Sequence, residues 1–274
     1  MKKLTTVLFV IMLSNCLAAA QTKSRREQKV RQKTAVAAVD PEVDRIFQRF
    51  AEAQGDPRAI RSVHSTVMRG VIEIPQYALN GSVEVYAKDP NKKLTVLNMP
   101  GPFGQRLEAR NGKGGWGQKP SAAAYDVTRN TEQDIEGVNG LIAKTHYSKL
   151  SLKGKAIVGV REAYVIEGTQ PGAPPELLYF DTQNGLMVRH DVVKKGKDDD
   201  GAGSTFFEGF AKVNGIVMPT VIREVYKEFT VITRFYEVKF NVHIEDSLFE
   251  RPKGPNPDGK EEKVEKVEKI GSEP

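Results

Sequence analysis

Four histidines are the first candidates for metal or acid–base chemistry: His64, His146, His190 and His243. They are scattered, and none belongs to an H-x-H or H-E-x-x-H pair that would aim two imidazoles at one ion. Asp198, Asp199 and Asp200 precede Gly201 and suggest calcium at first sight. Adjacent carboxylates diverge along an extended chain and lack the D-x-D-x-D alternation of a calcium loop, so they read as a solvated hairpin tip. Gly112, Gly114 and Gly117 satisfy G-x-G-x-x-G, but Gln118, Lys119 and Pro120 follow where a phosphate-binding helix would have to open. These glycines read as a chain reversal ahead of Trp116. With no G-x-S-x-G elbow and no paired nucleophile and base, the sequence predicts a protein that is not an enzyme, with no metal and no cofactor.

What remains is apolar. Met99, Phe103, Trp116 and Tyr125 flank a stretch rich in glycine and proline, while Val83 and Val85 alternate with Glu84 and Tyr86. Further on, Ile135, Val138 and Ile142 recur at helical spacing. Val83, Val85, Met99, Phe103, Trp116, Ile135, Val138 and Ile142 are therefore the candidate lining, or lid, of an apolar cavity. The competing reading is plain core and loop packing. The chemistry open to such a cavity is non-covalent: it can take up an acyl chain.

The elements that would position these residues are legible in part. Asp40 offers a helix N-cap with Pro41 behind it, and Val43, Ile46, Phe47 and Phe50 keep a 3.6-residue period up to Gly55. Short segments rich in Val, Leu and Thr follow at 62–74, 82–88, 92–98 and 105–110. Turns as short as Asp89-Pro90-Asn91 join antiparallel neighbours, because a parallel crossover needs a dozen or more residues. A second helix is predicted over 131–145, where Thr131 and Asp134 resemble a capping box and Gly137 and Gly140 weaken the interior. It would cover the sheet. Strand signals return from Lys149 to 242, and near Tyr236 the apolar phase switches, which requires a bulge or a bend. The pattern predicts a mainly β (α+β) fold, a single large curved antiparallel sheet or half-barrel covered by two helices, in one domain over 40–252.

Both termini differ from this core. Lys2 and Lys3 precede an apolar run over 4–13 and the small residues Ala18, Ala19 and Ala20, which reads as a secretory signal peptide over 1–20. Leu13, Ser14, Asn15 and Cys16 loosely resemble a lipobox, so lipid anchoring through Cys16 is the second reading. The expected location is beyond the inner membrane, in the periplasm. The chain carries 41 basic and 35 acidic residues, but the excess is local. Residues 21–39 hold six bases and one acid, whereas 40–252 hold 28 of each. The basic arm could touch an anionic membrane surface, and the neutral core argues against nucleic acid. Residues 253–274 are a charged tail with the composition of a disordered segment.

The second half of the chain also carries a resemblance. Tyr179-Phe180-Asp181, Asn184-Gly185-Leu186-Met187-Val188-Arg189, Val213-Asn214-Gly215-Ile216-Val217-Met218-Pro219 with Ile222, Phe240-Asn241-Val242 and Asp246-Ser247-Leu248-Phe249-Glu250-Arg251-Pro252 resemble bacterial outer-membrane lipoprotein-sorting-like proteins. Those are similar to the lipoprotein carrier LolA. The resemblance implies a half-barrel covered by helices, an apolar cavity for lipid or lipoprotein acyl chains, and no catalysis. An envelope interaction or sensor domain of the same fold, without lipid cargo, is the alternative, and a hydrolase assembled from scattered Ser, His and Asp residues ranks third.

Overall fold

Asp40 opens helix α1 (Pro41–Ala53) as the sequence predicts, its carboxylate accepting the Glu42 amide at 2.9 Å. Val43, Ile46, Phe47 and Phe50 are all buried along one stripe. The helix stops where Gly55, at φ 111°, bridges to Ile216; a Cβ there would lie 2.1 Å from the Gly215 carbonyl oxygen. A second helix, α2 (Pro57–Arg61), repeats the same opening, with Asp56 as cap. Its five residues bury only Ile60, too little to leave a periodic signal in the sequence.

This computed structural model describes residues 40–127, 147–193 and 203–254. The expected signal peptide, basic arm and 131–145 helix, with Ile135, Val138, Ile142, His146 and Asp198–Asp200, lie outside the described residues, as does the tail beyond 254. None of the described helices is long and apolar enough to cross a membrane.

The described strands are β1 (Ser65–Ile74), β2 (Leu79–Lys88), β3 (Lys92–Met99), β4 (Gly104–Asn111), β5 (Gly115–Gln118), β6 (Tyr125–Val127), β7 (Lys149–Val158), β8 (Arg161–Thr169), β9 (Glu176–Asp181), β10 (Met187–Val192), β11 (Ser204–Val213), β12 (Ile216–Val225) and β13 (Thr230–Phe240). They form one open antiparallel sheet in the order β6-β5-β4-β3-β2-β1-β13-β12-β11-β10-β9-β8-β7. The chain enters at the middle, meanders to one edge, starts again at the opposite edge and meanders back. Closing that circuit, β13 pairs with β1. The predicted fold class is the observed one, with thirteen described strands where the sequence marks about ten. The extra ones are β5 and β6, too short for alternation to show.

Directly opposed residues share a face, so the register assigns every side chain to one of two surfaces. The predicted phase switch is real. Arg69 pairs with Glu237 and Gly70 with Phe235, leaving Tyr236 as the extra residue, 72% exposed. It does not share the inward face with Val238 and Phe240. Gly70 is required at the bulge, since a Cβ would meet the Arg234 carbonyl oxygen at 2.4 Å. Asn214 and Gly215, at φ 48° and 86°, form the two-residue turn between β11 and β12. Asn184-Gly185 sits in a longer loop, in which the Asp181 carboxylate accepts the Gln183 and Asn184 amides.

On one face α1 packs across β8–β10, with Phe47 and Phe50 each 5.2 Å from the Phe180 ring. The row Phe207–Ile222–Thr233–Ile72 carries this helix face over to β1. On the opposite face residues 241–254 run back across β2–β5 and bury Ile244 and Phe249.

Candidate functional site

The helix face of β1–β3, β12 and β13 is an apolar floor built by alternation. Met68, Ile72 and Ile74 of β1, Val83 and Val85 of β2, and Leu97 and Met99 of β3 all turn to it. Four of the predicted lining residues, Val83, Val85, Met99 and Phe103, meet in this single cluster. Met99 lies across Gly81, where a Cβ would come within 2.5 Å of its sulfur. At one end the Tyr226 and Phe229 rings stack at 4.5 Å. Toward β13 the floor is only half-buried, at Phe235, Val238 and Phe240.

Trp116 belongs elsewhere. The register Val67–Tyr86–Leu94–Ala109–Trp116 places it on the opposite face, where its indole Nε1 donates to the Phe249 carbonyl at 2.9 Å. Strand β5 is short and full of glycine, so only its pairing with β4 reveals its phase. The glycines around it do form the predicted reversal, with Asn111 Oδ1 accepting the Lys113 and Gly114 amides. Ile135, Val138 and Ile142 lie outside the described residues.

Charged groups divide between the faces. Opposite the floor, Arg69 donates to Glu237 at 2.8 Å and to Glu84 at 3.2 Å, and Tyr86 donates to Glu84 at 2.5 Å. Burial first, then the Glu84 carboxylate, raises the Tyr86 phenol well above its ordinary value. The C-terminal strap is tied down by Lys88, which donates to the Ile244 carbonyl and to Asp246 at 2.7 Å each, and by Lys92, 2.7 Å from Asp246. These lysines hold the Asp246 carboxyl down at about 2. On the helix face Tyr147 donates to Glu176 at 2.6 Å, and His190 lies 3.0 Å from the same carboxylate. His64 lies beside Ser62 and His243 beside Glu245. Among the described residues no three His, Cys, Asp or Glu side chains form a group able to hold a metal.

Arg106 does not stand out in the sequence. In Arg106-Leu107-Glu108-Ala109-Arg110 the charged positions alternate with apolar ones, and such a pattern reads as a charged outer face. The register reverses this, because Arg106 is directly opposite Leu97 and so shares the floor's face. It is 6% exposed, and its Nε forms no hydrogen bond. Burial lowers its pKa, offset in part by Tyr125.

No family model matches this chain, and no curated protein matches it in sequence. Solved structures do match in shape. A DUF1329 family protein from Desulfovibrio piger superposes with a TM-score of 0.55 at 15% identity, covering 76% of this chain and 97% of the other. A LolA superfamily protein from Nitrosomonas europaea gives 0.50 at 15% identity, covering 76% and 96%. The fold is LolA-like. A putative outer membrane lipoprotein-sorting protein domain from Vibrio parahaemolyticus matches the same LolA-like sheet at a TM-score of 0.50 and 9% identity, covering 75% and 94%.

Proposed function

We propose that this protein is an exported, non-enzymatic carrier that holds acyl chains of a lipid or lipoprotein on the apolar floor. The observation that carries this reading is the half-buried strip of Phe235, Val238 and Phe240, continuous with the buried cluster around Val83 and Met99. A closed core would bury those side chains completely, whereas a chain laid along them removes apolar surface from water. Each CH2 so buried contributes about 0.8 kcal/mol, offset by the cost of immobilising the chain. The LolA-like fold supports this use, since one matching structure is a putative outer membrane lipoprotein-sorting protein domain. The signal-like leader and the neutral core fit a periplasmic protein whose basic arm, 21–39, touches anionic lipid.

Titration with a fluorescent fatty acyl probe tests the reading, with saturable uptake at one probe per protein expected. Native mass spectrometry of protein purified from the cell envelope should show a co-purifying acyl-containing mass. If the purified protein takes up no probe, it is not a carrier, and the floor is an ordinary core of an interaction or sensor domain.

A further inference from the structure

The apolar row ends in a buried cation. Reading across five adjacent strands, the helix face presents Phe235, Gly70, Val83, Leu97 and finally Arg106. Neighbouring strands lie about 4.8 Å apart, so the row is roughly 19 Å long, of the same order as an extended palmitoyl chain. No charged side chain interrupts it before the guanidinium.

Arg106 is abnormal for a structural arginine. Buried charges are paired, because taking a cation out of water costs several kcal/mol unless an anion or several acceptors replace the water. Arg69 and Arg189 obey the rule: Arg69 is held by Glu84 and Glu237, and Arg189 by Asp191 at 2.7 Å. Arg106 forms no ion pair with any described carboxylate, and its Nε is sealed from solvent without an acceptor. Among the described residues only the Tyr125 hydroxyl offsets the desolvation, and it does so in part. A ligand oxyanion would do so, since the Nε–Nη edge of a guanidinium matches two oxygens of one head.

We infer that the floor binds an acyl chain carrying an anionic head with two acceptor oxygens, a carboxylate or a phosphate, and that Arg106 receives that head. The inference rests on the acyl-carrier reading and gives it a polarity: head at β4, tail toward β13. Lys93, on the same face opposite Arg110, serves as a control for general charge.

The test compares affinities for palmitate, methyl palmitate and lysophosphatidylglycerol, by competition against a fluorescent acyl probe, in the full mature chain. Wild type should prefer at least one anionic amphiphile over the neutral ester by about tenfold or more, the scale of a hydrogen-bonded charge pair. Preference for palmitate assigns a fatty carboxylate, and preference for the lysophospholipid alone assigns a membrane-lipid phosphate. In R106M the ratio should fall to about one, whereas K93M should keep it. The thermal midpoint of ligand-free R106M should be equal to or above that of wild type, because an unpaired buried charge has been removed. Equal binding of all three ligands by wild type, an unchanged ratio in R106M, or a lowered R106M midpoint overturns the assignment of Arg106 and leaves the carrier reading standing. Failure to bind any of them overturns both.

Discussion

The two faces of β1–β5 are made from alternate residues of the same strands, yet they are finished in opposite ways. On one face the chain closes over itself: Ile244 and Phe249 fill the apolar gap, Trp116 donates to the Phe249 carbonyl, Gln118 Nε2 donates to the Gly254 carbonyl at 2.9 Å, and Lys88 and Lys92 fix Asp246. Arg251 adds contacts to Asp126 and to the Ala124 carbonyl. On the other face the apolar floor stays half-buried toward β13, and Arg106 keeps an enclosed N–H without an acceptor. Among the described residues, polar satisfaction therefore separates a face that the strap closes from one that keeps an enclosed guanidinium N–H without an acceptor.

The strongest challenge to this contrast is Phe249→Ala, which empties the fully buried anchor of the strap. Loss of a buried phenylalanine costs about 3–5 kcal/mol. Urea unfolding should show a loss of that size, together with a red-shifted emission of Trp116, the chain's one tryptophan. A cost near zero would mean that the strap is not part of the core.

Phe235→Ala on the opposite face should behave differently. The ring is half-buried, so stability should fall by only about 1 kcal/mol, while acyl-probe affinity drops severalfold. If Phe235→Ala costs as much stability as Phe249→Ala and leaves uptake unchanged, the two faces are equivalent and the contrast is lost.

The smallest effect expected is a pH dependence of the strap. The Asp246 carboxyl lies at about 2 in the folded protein against its ordinary 3.8, drawn down by Lys88 and Lys92. A depressed carboxyl contributes stability that is fully present above the unfolded value and is lost as pH falls through the folded one. Trp116 emission should therefore be flat from neutral pH down to about pH 5 and begin to shift between about pH 4 and 2. Asp246→Asn should remove that part of the shift. Its persistence in the variant would move the cause to another carboxylate, such as Glu237, which is held below its ordinary value first by Lys239 and then by Arg69.

How much of this is legible in the sequence follows the range of each signal. The α1 stripe, its Asp40 cap and the phase switch near Tyr236 are local patterns, fixed within a few residues, and the structure contains all three. Helix α2 and strands β5 and β6 are as short as three to five residues, too few for a period to stand out, and the sequence does not mark them. Val83, Val85, Met99 and Phe103 group as apolar neighbours, and the sheet brings them together. Trp116 groups with them by proximity in sequence, but a strand phase that only pairing reveals sends it to the other side.

Backbone period and turn chemistry act within a single segment, and they suffice for the mainly β class, the entry helix and the alternation that gives each strand one apolar side. Which side of each strand faces α1 and which faces the strap is settled only in the packed sheet. That choice is a matter of register between strands distant in sequence, and a shift of one residue exchanges the two faces completely. Arg106 shows the consequence: its own strand reads as a charged outer edge, and its pairing with Leu97 turns the guanidinium onto the apolar floor.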